Sequence, residues 1–154
     1  MPTEPSPFEV AADALATLLP PDLGEWHTRA HRWGMKLWFG PAEKPAREHY
    51  EAQIVNAKFV AEATVIGIEI GFHAEHPKAG DNDAVLDELR PHERKWRKAL
   101  GGPVEAGPFL GRADQWRRIS ETWADPDLGD PDLPLELAGR LVDYVEALEP
   151  LRRR

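Results

Sequence analysis

The chain contains no cysteine, which removes disulfides, thiolate metal sites and thiol nucleophiles together. Any bound metal would have to be held by His, Asp or Glu. No uninterrupted apolar run reaches the length of a membrane span, and the N-terminal segment MPTEPSPFEVAADALATLLPP has acids where a signal peptide has basic residues. A cytoplasmic protein without membrane attachment is the expectation. There is no phosphate loop, dinucleotide fingerprint, nucleophile elbow, zinc-protease helix motif or internal repeat, so no motif names a reaction or a cofactor. Positive charge is in short supply: 19 Lys and Arg stand against 27 Asp and Glu, for a net charge of −8. That balance repels a phosphate backbone and ranks nucleic-acid association last among the functions considered. The basic runs at Arg90 to Lys98, at Trp116 to Arg118 and at Arg152 to Arg154 read as solvated surface.

What is present fits one domain of 154 residues, with a core over about 34–123 and a helix at either end. Phe8, Ala11, Ala12, Leu15 and Leu18 recur at helical spacing behind Ser6 and Pro7, and Pro20-Pro21 end that helix. Leu23, Trp26, Ala30 and Trp33 favour a second short helix over 22–33, with a strand as the alternative. On such a helix His27 and His31 would lie one turn apart, a spacing that can bind metal, but with no third ligand in view they read as exposed.

Two strands follow, around Met35–Phe39 and His49–Ile54, joined across the loop 40–47. Residues 56–63 fit either a helical turn or more strand. The longest apolar alternation, Thr64 to Glu75, makes a third strand and completes an antiparallel meander. Capped by Asn82 or Asp81, a helix runs to about residue 90, where Pro91 implies either a kink or two consecutive helices, roughly 83–90 and 91–100. Gly101-Gly102-Pro103 precede a hairpin built from VEAGPF, GRAD and QWRRISETW, and a closing helix spans 135–148. The class is α+β, with helices covering a sheet face lined by Met35, Leu37, Phe39, Tyr50, Ile54, Ile66, Ile68, Ile70 and Phe72.

If those residues face the helices, the pleat turns Lys36, Trp38, His49, Glu51, Gln53, Glu69, His73 and Glu75 to the opposite face. Cross-strand partners must have numbers summing to an even value near 118, 120 or 122. Glu69 then lies opposite His49, Glu51 or Gln53, and two carboxylates and a histidine come within reach of one another. Such a group can pair an acid with a base or offer nitrogen and oxygen ligands to a metal, although the sequence alone assigns no metal ligands. Gly67 and Gly71 on the same face point to a close approach by a ligand, an aromatic ring or another chain. A solvated face with cross-strand ion pairs, Lys36, Arg117 and Arg118 serving as the cations, is the plainer expectation. Trp38 and Trp116 fall out of register with their apolar neighbours and suit a ligand or partner surface, whereas Trp26, Trp33, Trp96 and Trp123 suit the core. A second cation candidate, HAEHPKAGDND (73–83), matches no calcium loop.

The segments GMKLWF, EHYEAQ, EIGFHAEHP and KWRKALGGPVEAGPFLGRADQWRR resemble a family of small uncharacterised bacterial proteins. The resemblance implies a cytoplasmic single-domain α+β protein and brings no activity, cofactor or functional residue with it. Three functions are therefore weighed. The first is a non-enzymatic binding or interaction domain, with a homodimer as one use of the polar face. The second is a carboxylate-and-histidine enzyme or metal protein, and the third is nucleic-acid association. The binding residues expected are Trp38, His49, Glu51, Gln53, Glu69, His73 and Glu75, with the small molecule or protein bound left open.

Overall fold

A computed structural model describes residues 4–41 and 44–152. The fold is α+β: one six-stranded antiparallel sheet with helices packed on one of its faces. In chain order the strands are β1 (Trp26–His31), β2 (Gly34–Phe39), β3 (Glu48–Asn56), β4 (Ile66–Ala74), β5 (Glu105–Phe109) and β6 (Arg112–Ala124). Strands β1 to β4 form a meander, and the β5–β6 hairpin adds to it through β6, giving the order β1-β2-β3-β4-β6-β5. The helices are α1 (Pro7–Leu18), α2 (Ala79–Leu89), α3 (Glu93–Leu100) and α4 (Leu133–Arg152).

Helix α1 starts where the sequence says it should. Ser6 accepts from the Glu9 amide while the Glu9 carboxylate accepts from the Ser6 amide, so two otherwise orphaned donors are satisfied at once. Helices α1 and α4 pack on each other, α1 lying against β1 and β2 and α4 against β3 and β4. Tyr50, Ile68, Ile70 and Phe72 are buried there against Leu137, Leu141, Val145 and Leu148. Two buried acids of this layer are satisfied by hydroxyls and arginines. Tyr50 donates to Glu149, which also pairs with Arg152, and Tyr144 and Arg140 both donate to Glu121.

Several expectations are corrected. Residues 22–33 are not a helix: a single 3₁₀ turn at Pro21–Leu23 leads into β1, the edge strand. Trp26 and Ala30, four residues apart, share a face in a strand as well as in a helix, so the spacing did not discriminate. Trp33 sits in the β1–β2 turn and is 57% exposed rather than core. Residues 57–59 form a 3₁₀ turn. Helix α2 begins at Ala79, earlier than its expected cap. Asn82, inside that helix and buried, uses its amide to bridge His76 and Gln115. Pro91 does break the helical stretch, through a 3₁₀ turn at Arg90–His92. Helix α4 is longer at both ends than expected. Arg153 and Arg154 of the terminal basic run lie outside the described residues. Among the described residues, no helix is long and apolar enough to cross a membrane.

Candidate functional site

Strands β3 and β4 pair in the register that sums to 122: His49 faces His73, Glu51 faces Gly71, and Gln53 faces Glu69. Both strands carry the same short pattern, His-x-Glu, as His49-Tyr-Glu51 and His73-Ala-Glu75. Antiparallel pairing sets the two histidines side by side and sends the glutamates to opposite ends of the pair. Glu75 stays in line because its amide donates to the Arg47 carbonyl, one step beyond the end of β4. All four side chains rise from the face turned away from the helices.

Their polar atoms close a ring in alternating order. His49 Nε2 lies 2.9 Å from Glu51 Oε1 and 3.4 Å from Glu75 Oε2. His73 Nδ1 lies 3.1 Å from each of the same two oxygens. One nitrogen or oxygen from each residue can be chosen so that all four lie within 4.8 Å of one another. The remaining ring nitrogens are held from behind. His49 Nδ1 sits 2.8 Å from the Ala46 carbonyl and His73 Nε2 sits 2.6 Å from Glu69 Oε2. A carbonyl and a carboxylate can only accept, so these two nitrogens carry protons, and in the metal-free ring the inward-facing nitrogens donate to Glu51 and Glu75 as well. Glu69 is completed by the Gln53 amide, which donates to its other oxygen.

Contrary to the solvated-face expectation, the group is buried. Glu69 and His73 have no exposed surface, and Glu51 and Glu75 retain 8% each. Helices do not supply this cover. The curled β5–β6 hairpin does, setting the Phe109 ring edge-on to His73 at 4.7 Å with Trp116 packed against Phe109. Trp38, expected on a partner surface, is 2% exposed and stacks on His27. His27 and His31 belong to β1 and do not join the group. Arg117 and Arg118, the expected counter-ions, pair instead with Asp83 and Glu105. Lys36 alone of the three expected cations reaches the ring, its Nζ 3.9 Å from Glu51 Oε1. The glycines are explained by the protein's own packing. A Cβ on Gly71 would meet the β6 backbone at Ile119 and Ser120, and one on Gly67 would meet Val60. Of the second cation candidate, 73–83, His73 and Glu75 belong to the ring, His76 pairs with Glu48, and the remainder leads into the start of α2.

The partners, working against burial, set the protonation. Burial disfavours a charged His73, but the Glu69 carboxylate and hydrogen bonds to Glu51, Glu69 and Glu75 overcome it and hold the ring's pKa well above the usual histidine value. Burial likewise opposes a charged His49, and Glu51 and Glu75 raise it in the same way. Burial would raise the Glu51 carboxyl, yet hydrogen bonds from both histidines bring it down to about 2. Glu75 is depressed below the ordinary carboxylate range for the same reasons. Two imidazolium charges thus face three carboxylates, with the Lys36 ammonium at the rim.

Comparison of the chain with protein-family models, curated proteins and solved structures returned no match. The site must be read from its own chemistry. Sequence reasoning gathered all four ring residues and Glu69 on one face. It missed the Ala46 carbonyl, the Phe109 and Trp116 roof, and the repeat of His-x-Glu, which was visible in the sequence.

Proposed function

We propose that this protein binds one divalent first-row transition ion through His49, Glu51, His73 and Glu75, in a cytoplasmic setting. The observation that carries this reading is the orientation of the two imidazoles. Each spends one N–H on an acceptor outside the ring, and each turns its other nitrogen to a point shared with two carboxylate oxygens. A histidine whose far nitrogen is bonded to a carboxylate or carbonyl is the arrangement that orients metal-bound imidazole and raises its basicity. The spacing supports it as well. An ion held at about 2.0–2.2 Å separates neighbouring donors by roughly 2.8–3.6 Å, from octahedral to tetrahedral geometry. The ring spans 2.9–3.4 Å.

Two imidazoles and two carboxylates suit zinc, manganese, iron, cobalt or nickel. Magnesium and calcium prefer an all-oxygen shell and should not compete. Charge is compatible too. Exchanging two ring protons for one dication leaves the net charge of the buried group unchanged.

The test is calorimetric titration of the full chain with zinc near pH 7.5, followed by metal analysis after dialysis. One equivalent should bind with Kd below about 1 µM. His49→Ala and Glu51→Gln should each weaken binding by roughly a hundredfold or more. Magnesium at millimolar concentration should not displace the zinc. Failure of the folded protein to take up a stoichiometric ion would leave the four residues as a purely structural ion cluster.

A further inference from the structure

The four donors share one origin, and that limits how they can surround an ion. Their roots form a rhombus on a single sheet face: His49 and His73 sit side by side across β3 and β4, while Glu51 and Glu75 stand at opposite ends along the strands. Donors rising from one surface approach an ion from one hemisphere. The outward hemisphere can be filled only by what folds over it. On the β6 side that is Phe109, whose ring edge covers His73 and which offers no ligand atom. The β2 side carries Lys36, the cross-strand partner of Glu51, with its side chain one-third exposed. The residual exposure of the site lies on its carboxylates. His49 and His73 are essentially sealed, whereas both glutamates keep a little surface.

Resting on the metal reading above, we infer that the bound ion keeps an outward coordination position for a small carboxylate. The Lys36 ammonium is the group that recognises its negative charge. The site already places a carboxylate oxygen near that ammonium, at Glu51 Oε1. An exogenous carboxylate bound to the ion beside Glu51 would have the same ammonium at its edge and the apolar rings of Phe109 and Trp116 on the other side. A charge-assisted contact of this kind contributes more than a neutral hydrogen bond, the more so where water is scarce. The ring itself, with two carboxylates already on a dication, adds no attraction for a third. Lys36 therefore determines whether an anion enters.

Cobalt(II) is the probe, because its visible absorption reports coordination number. The full chain loaded with one equivalent of cobalt is titrated with acetate, and Lys36→Met is treated in parallel after circular dichroism confirms its fold. The expected result is a saturable change of the cobalt spectrum with acetate, and at least about a tenfold weaker response in Lys36→Met, which still takes up cobalt. An intense tetrahedral spectrum unmoved by acetate to about 100 mM would overturn the inference and describe an ion saturated by four protein donors. An equal response in wild type and Lys36→Met would overturn the role given to Lys36. Absence of any cobalt spectrum would overturn the metal reading itself, and this inference with it.

Discussion

Glu69 has no surface in contact with water, so the effect of removing its charge is decided by its two partners, His73 and Gln53. Glu69→Gln keeps the shape and an acceptor for His73 Nε2, but it leaves a buried imidazolium without its nearest counter-charge. Without metal, near pH 6, the variant should lose about 1–3 kcal/mol by chemical denaturation. With metal, the less basic ring should bind zinc roughly 10–100-fold more weakly, measured by competition with a chelator. An unchanged zinc affinity would remove Glu69 from the site. The face on which Glu69 lies was legible, because a period of two is enough to assign faces. Gln53 was among its three candidate cross-strand partners, whereas the destination of the arginines was not legible. Arg117 and Arg118 are close in number to plausible neighbours, yet their guanidinium groups are taken by Asp83 and by Glu105 with Ser120. Which acid a long side chain reaches depends on how the hairpin curls, and no local pattern encodes that.

Gly71 shows how tightly the elements are fitted around the site. At φ +152° it holds a conformation that side-chain-bearing residues rarely adopt, and an added Cβ would come within 2.4 Å of the Ile119 carbonyl. Gly71→Ala should therefore destabilise by about 2–4 kcal/mol and loosen the β4–β6 ladder, seen as faster amide exchange at Gly71 and Phe72. Wild-type stability in this variant would contradict the packing described. Glycine in a strong strand was a readable signal of close approach, but the sequence could not say that β6 rather than a ligand approaches. The elements with long unambiguous periods were legible, among them α1, β3, β4 and α4, as was the break at Pro91. Strand β1 was not, because a short segment with apolar residues at 23, 26, 30 and 33 suits both periods and its position at the sheet edge is settled only by pairing with β2.

For the whole molecule, the buried charges make opposite demands on pH. His49 and His73 have folded pKa values raised above the unfolded value near 6.5. Their contribution to stability is complete below about pH 6.5 and is lost as pH rises through the folded values. Glu51 and Glu75 are depressed, so theirs is complete above about pH 4.5 and is lost as pH falls toward 2. The metal-free protein should be most stable between about pH 4.5 and 6.5, and denaturation midpoints should fall between pH 7 and 9. A midpoint that climbs over that range would contradict the paired-imidazolium description. Zinc should behave in the reverse sense, binding more tightly as pH rises from 6 to 8 and releasing up to about two protons per ion, read from calorimetry in buffers of different ionisation enthalpy. The composition made such a site conceivable by excluding cysteine, but the convergence of two His-x-Glu segments is a property of the register. The most direct measurement is the anomalous scattering of a zinc-soaked crystal. One peak is predicted about 2.0–2.2 Å from His49 Nε2, His73 Nδ1 and one oxygen each of Glu51 and Glu75. A crystal with the same fold and full zinc exposure, but no peak at that point, would contradict the metal reading.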